Sequence, residues 1–199
     1  LDTNNDGVPE KSLGTATVTA DGTWSFTPKA AIANGTYAVY ARVTDVAGNT
    51  SEWSEEGTPL TINKVSLGSP ANVDLITADD SAGPNGTAAD NLTNVAAPTF
   101  TGTAAANAEV KVFVDTNANG KIDSGETELG TTIAYSDGTW SFTVEDDLAD
   151  GSYKISTIQT DVAGNVSTRG SAAVTVTIDT TITAPTAVTL ASASDTGAS

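Results

Sequence analysis

The chain has 199 residues, with 25 acidic and 8 basic side chains for a net charge of −17, and it contains neither histidine nor cysteine. That balance repels nucleic acid and anionic membrane surfaces. The missing residue types exclude Ser-His-Asp and Cys-His nucleophilic sites, the usual zinc and haem sites, and any disulfide framework. No run of about 18 apolar residues occurs, so no membrane insertion is expected, and no catalytic constellation is in view.

In chain order, the first element is an Asp/Asn/Gly-rich loop carrying Asp2, Asn4, Asp6, Gly7 and Glu10. A strand follows at Asp21-Gly22-Thr23-Trp24-Ser25-Phe26-Thr27, where Trp24 and Phe26 share one face. Gly35-Thr36-Tyr37 opens a longer strand in which Tyr37, Val39, Ala41 and Val43 alternate with outward Arg42 and Thr44. Thr44-Asp45-Val46-Ala47-Gly48-Asn49 makes the next turn, with Asp45 capping it and Gly48 supplying a positive φ. Trp53 is expected to be partly buried, and Leu60-Thr61-Ile62 reads as the closing strand.

The same phrases then return. Asp137-Gly138-Thr139-Trp140-Ser141-Phe142-Thr143 and Thr160-Asp161-Val162-Ala163-Gly164-Asn165 each lie 116 residues after their first copies. Gly151-Ser152-Tyr153 and Val176-Thr177-Ile178 keep that spacing, whereas Asp115-Thr116-Asn117 follows Asp2-Thr3-Asn4 by 113. A fixed period marks a tandem array, and such arrays extend or present a surface. The repeat therefore divides the chain into 1–66, the back part of one unit; 67–180, a complete unit; and 181–199, the opening of the next, where Pro185, Leu190, Asp195 and Gly197 echo Pro70, Leu75, Asp80 and Gly83. With no methionine anywhere, the expectation is an interior stretch of a much longer chain.

Within the complete unit, period-two alternation between Gly/Asn/Asp turns predicts strands near 73–77, 98–103, 109–115, 128–135, 138–144, 152–161 and 171–178. Seven short strands in this length predict an all-β fold of tandem immunoglobulin-like antiparallel β-sandwiches in an elongated array. Trp24 and Trp140 are expected in the inter-sheet core beside Phe26 and Phe142; a sugar-stacking role is the other reading. Tyr37 and Tyr153 stand where a tyrosine corner ties a sandwich edge.

One motif carries chemistry. Asp115, Asn117, Asn119, Gly120, Lys121, Asp123 and Glu126 satisfy the twelve-position calcium loop. Side-chain oxygens fall at positions 1, 3, 5 and 9, the sharp turn at 6, a Lys121 carbonyl at 7 and a bidentate carboxylate at 12. Ile122 is expected to point inward. Hard oxygens select Ca2+ over softer metals, and strands in place of flanking helices favour a structural ion over a sensor. Three carboxylates imply an affinity on the order of 0.1–1 mM; a metal-free hairpin turn is the alternative. Counted from Asp2, the first copy offers Asp2, Asn4 and Asp6 with Glu10 at position 9, but Leu13 stands at 12, so the bidentate clamp is expected to be missing and the site to be either weaker or completed by another group. Asp80, with Asp79 and Asp90 nearby, and Asp179 at the seam are further candidates that adjoining units could share around an ion; solvated turn residues are the other reading.

Asp-Gly-Thr-Trp-Ser-Phe, Gly-x-Tyr and Thr-Asp-x-Ala-Gly-Asn, in that order, together with Ala97-Pro98-Thr99-Phe100-Thr101-Gly102-Thr103, resemble the bacterial Ig-like repeats of giant RTX-type, type-I-secreted surface adhesins and biofilm proteins. The resemblance implies an extracellular, non-enzymatic extender that holds a distal binding domain away from the cell, with neighbouring repeats as partners and calcium stiffening the rod. A subunit of a self-assembling extracellular fibre, whose other copies would be partners, and a carbohydrate-binding accessory module stay open.

Overall fold

The computed structural model describes residues 1–81, 87 and 89–187, and those residues form ten strands and no helix. Two compact units result, Leu1–Val65 and Ser66–Ser199. The echoes expected at Gly83, Leu190, Asp195 and Gly197 lie outside the described residues.

In the first unit, β1 (Gly35–Val39) and β2 (Thr58–Ile62) pair antiparallel, Tyr37 opposite Leu60. Asp2 bridges Ala38, and Thr44 bridges Thr50 across the Asp45 turn. The Asp21–Thr27 phrase forms no strand, and Trp24 is 54% exposed, which corrects the expectation of a core tryptophan there. The reason is a missing neighbour: the strand that pairs with this phrase in the second unit has no counterpart among residues 1–65. Phe26 nonetheless keeps its contact, since a Cβ on Gly14 would meet its ring at 2.7 Å. Trp53 is partly exposed and carries the Arg42 guanidinium 4.5 Å from its ring centroid, a cation–π pair.

The second unit is a sandwich. Its strands are β3 (Ala71–Leu75), β4 (Leu92–Thr93), β5 (Thr99–Thr103), β6 (Glu109–Val114), β7 (Thr127–Ile133), β8 (Thr139–Thr143), β9 (Gly151–Thr160) and β10 (Val174–Ile178). One sheet runs β4-β10-β9-β6-β7 and the other β3-β5-β8. All pairings are antiparallel except β4 with β10, where Leu92 faces Thr177 in parallel register. The seven predicted strands are all present; β4, two residues long, is too short to show alternation.

Phe100, Val110, Val112, Trp140, Phe142, Ile155, Val176 and Ile178 meet between the sheets. Two glycines make room for the aromatics. A Cβ on Gly102 would stand 2.5 Å from the Trp140 ring, and one on Gly130 2.8 Å from Phe142, so both strands give up a side chain where the ring crosses. Trp140 is only 2% exposed as a result. Tyr153 Oη donates to the Ala149 carbonyl at 2.9 Å, and Tyr37 Oη to the Ala33 carbonyl at 3.1 Å, so both units carry the expected tyrosine corner.

Trp140→Ala is expected to cost the second unit about 3–5 kcal/mol, and Gly102→Val about 1–3 kcal/mol through overpacking. Trp24→Ala in the same chain should stay within about 0.5 kcal/mol, as for exposed sites. Denaturant titration of the three variants checks this; equal losses at Trp24 and Trp140 would contradict the core assignment.

Candidate metal centre

Val114 ends β6 and Thr127 begins β7, so Asp115 to Glu126 is the connection between two paired strands. Asp115 is anchored at the strand end. Its N–H donates to the Lys154 carbonyl at 2.8 Å, extending the β6–β9 ladder, and the residue is fully buried. Its Oδ2 accepts the Gly120 N–H and the Ser156 hydroxyl, each at 2.8 Å, and its Oδ1 accepts the Asn119 N–H at 3.1 Å. Wrapping the backbone around one carboxylate requires the sharp turn at Gly120, whose φ is +71°. That glycine also packs on backbone: Gly170 N–H donates to its carbonyl at 2.7 Å.

Glu126 closes the loop mouth. Its Oε1 accepts the Thr116 N–H and hydroxyl at 2.8 and 2.9 Å, and its Oε2 accepts the Asp123 N–H at 2.9 Å. Asp123 Oδ2 accepts the side-chain amides of Asn117 at 2.9 Å and Asn119 at 2.7 Å. Those two amides, Asn117 first, hold the Asp123 carboxyl below its ordinary value; burial opposes them and Lys121 adds a smaller pull. Asn117 Oδ1 in turn accepts the Asn119 N–H, and Asn119 Oδ1 the N–H of Lys121, which is exposed at the rim. Ile122 does not point inward: it is 40% exposed, and no strand passes through it, because the loop has no second loop to pair with.

The donor types of this loop suit a hard divalent cation, but among the described residues the three carboxylates that come within 4.8 Å of one another are those of the first loop, Asp2, Asp6 and Glu10, and not Asp115, Asp123 and Glu126. The donors are carboxylate and amide oxygens gathered on one turn. The two amides already set their positive ends against Asp123, and a half-turn of each exchanges nitrogen for oxygen at the same place.

The first loop is built on the same plan with three fewer residues. Asp2 exchanges backbone hydrogen bonds with Ala38, the counterpart of Lys154, and is also fully buried. Its Oδ1 accepts the N–H groups of Asn4 and Asn5 at 3.2 and 2.6 Å, and its Oδ2 that of Gly7 at 2.8 Å. Burial raises the Asp2 carboxyl, but the Gly7, Asn5 and Asn4 amides outweigh it and leave the group below its ordinary value. Asp6 accepts from the Asn4 amide at 3.0 Å. Glu10 Oε2 accepts the Thr3 N–H and hydroxyl at 2.7 and 2.8 Å, the contacts that Glu126 makes to Thr116. Glu10 thus stands at the closing position, not the ninth, and the clamp thought missing with Leu13 is supplied by a shorter loop. Asp2, Asp6 and Glu10 each place a carboxylate oxygen within 4.8 Å of the other two.

The remaining candidates lie elsewhere. Asp80 is buried at the end of the turn after β3, while Asp79 Oδ2 accepts the Thr99 N–H at 2.7 Å. Asp179 is exposed; its N–H donates to the Thr93 carbonyl, and its carboxylate accepts from Thr181 N–H at 3.4 Å. Asp45 and Asp161 cap their turns as expected, each accepting two backbone N–H groups and one Asn amide. Sequence reasoning missed Ser156 and Asp150. Ser156 lies on the face of β9 that carries Lys154 and Ile158, opposite core residue Ile155, so alternation gives no signal for its burial, and Asp150, which accepts from Thr180 and Thr181, reads as one more turn acid.

Comparison with known proteins places this geometry in context. The family described as "Bacterial Ig-like domain" matches residues 5–63 and 67–180. A solved structure described as a tetra-tandem repeat in the extending region of a large adhesion protein is similar at 24% identity, covering 84% of this chain and 38% of that one, with a TM-score of 0.38. No curated protein matches the chain.

The depressed carboxyls of Asp45, Asp123, Asp137 and Asp161 fix a sign for the pH dependence. Their folded values lie below the ordinary 3.8, so the unfolded chain holds more protons just beneath that pH. Their contribution is complete above 3.8 and is lost as pH falls through the folded values. In high salt, which screens the net charge, melting temperature should stay level from about pH 7 to about 5 and drop below about 4. A midpoint that rises on acidification in that last window would contradict the assignment.

Proposed function

Because the chain belongs to the bacterial Ig-like domain family, we propose that it is an extender segment of a large extracellular bacterial surface adhesin, with calcium stiffening its repeats and adhesion or biofilm formation as its purpose. The observation that carries the reading is the Asp115–Glu126 loop, whose ligand-type oxygens are fixed to the ends of β6 and β7 and, through Ser156, to β9. An ion held there binds the folded repeat alone and stabilises it by linkage. It also offsets the self-repulsion of a chain with net charge −17. The ion's place between strands suits a permanent brace, and its modest affinity suits a medium where calcium is abundant.

Several features accord with a structural role. The sequence recurs with a period of 116 residues and contains no histidine or cysteine. None of the described residues forms a helix long and apolar enough to cross a membrane. A carbohydrate-binding reading needs an exposed aromatic row, and in the complete sandwich the tryptophan that would supply it, Trp140, is buried.

Calcium at about ten times its dissociation constant should stabilise the second unit by about 1.4 kcal/mol. Chelator should lower the melting temperature and broaden the size distribution seen by small-angle scattering. Asp115→Ala with Glu126→Ala should remove one bound ion in titration calorimetry. Identical melting curves in calcium and chelator, or an unchanged stoichiometry in the double variant, would reject the reading.

A further inference from the structure

The corners before β1 and β9 hold more than a tyrosine. Asn34 and Asp150 are counterparts at the 116-residue spacing, and each stands just before the glycine that opens its strand. Asn34 reaches 30 residues along the chain: its Nδ2 donates to the Lys64 carbonyl and its Oδ1 accepts the Lys64 N–H, both at 2.8 Å. One partner is a carbonyl and the other an N–H, so a single orientation of the amide satisfies both. The last ladder pair of this sheet is Gly35 with Ile62, and Asn34 therefore carries the hold two residues past the end of β2. Asp150 acts likewise beyond β10, accepting the Thr180 N–H and hydroxyl at 3.0 and 2.7 Å and the Thr181 hydroxyl at 2.9 Å.

The second unit grips the chain where it enters. Gln159 falls on the core-facing side of β9, in step with Ile155, and is only 3% exposed. An amide buried there costs free energy unless both its ends are paired. Its Oε1 accepts the Ala105 N–H at 2.6 Å and its Nε2 donates to the Gly68 carbonyl at 2.8 Å. Gly68 precedes β3 and Ala105 lies between β5 and β6, so one side chain ties the entering segment to a turn of the sandwich. At the equivalent place the first unit has an exposed Val43, which makes no such bond.

We propose that Asn34 and Gln159 are seam clamps: each fixes the connecting chain to its own unit, leaving Val65, Ser66 and Leu67 between the held residues and stiffening the joint without metal. The purpose rests on the extender reading, whereas the geometry rests on hydrogen bonds. A linker's freedom grows with the number of residues left unfixed, two soft dihedrals for each. Neutral amides suit this exit. Asn34 and Asn63 stand where the other exit has Asp150 and Asp179, so these positions offer no carboxylate to a cation and the hold comes from protein atoms.

The test uses the full 199-residue chain, whose lack of cysteine lets spin labels be placed at chosen sites. Lys29→Cys with Glu145→Cys, both exposed, labels one site in each unit, and Thr131→Cys with Glu145→Cys labels two in the second. Double electron–electron resonance reads the distance distributions, once in calcium and once in chelator. Asn34→Ala with Gln159→Leu should broaden the distribution between units in both solutions and leave the pair within the second unit unchanged. Hydrogen exchange supplies the local readout: the Lys64 amide in Asn34→Ala, and the Ala105 amide in Gln159→Leu, should each exchange about tenfold faster. A distribution between units no broader than the parent's, or one broadened in a single solution, overturns the proposal. If Gln159→Leu also loosens the sandwich, Asn34→Ala, at an exposed corner, decides by itself. A calcium response with no effect of the variants sinks the clamps and leaves the extender reading; an effect of the variants with no calcium response sinks the calcium brace and leaves the clamps.

Discussion

Aspartate carboxylates accepting backbone N–H groups close the turns on which the rest of this fold depends. Asp2 and Asp115 gather the amides of a whole loop around one buried carboxylate, while Asp45, Asp137 and Asp161 do the same for tighter turns. A sandwich with few aromatic residues needs its strands placed accurately, because its core is thin. Turns fixed by ionised acceptors give that accuracy, since charge-assisted hydrogen bonds are shorter and stronger than neutral ones. The consequence is a chain dense in negative charge, and that density makes a divalent cation useful in two places at once: it satisfies local oxygens and reduces the global repulsion.

Much of this was legible beforehand because its signals are local and repeated. Alternation located all seven predicted strands, the twelve-position spacing located the β6–β7 loop, and Gly-x-Tyr located both tyrosine corners. What escaped depends on neighbours. Trp24 reads like Trp140 letter for letter, yet it is exposed, since no strand equivalent to β5 stands beside it in residues 1–65. Ile122 follows the calcium-loop pattern but lacks the second loop that would draw it inward. Glu10 falls at the ninth place by counting and at the closing place in space, because the loop around it is three residues shorter.

Asp80 shows the limit of motif reading most clearly. Asp-Asp after a strand leaves an ion ligand and a solvated turn open alike, and nothing in the neighbouring letters reveals that Asp80 is buried while Asp79 accepts the Thr99 amide. Ser156 is a similar case. Alternation sets it with Lys154 and Ile158, away from the core, and only the fold shows its hydroxyl donating to Asp115 Oδ2 at 2.8 Å, which joins the loop to the centre of the larger sheet. Through that contact, the state of the loop bears on the packing of the sandwich.

The central claim is that calcium braces the folded repeat, and mechanical unfolding of the chain tests it most directly. Pulled from its ends in single-molecule force spectroscopy, the sandwich spanning residues 67–180 should unfold at distinctly higher force in calcium than in chelator, and the difference should vanish when the ion is withdrawn. Unfolding forces that are the same in both solutions would contradict the account.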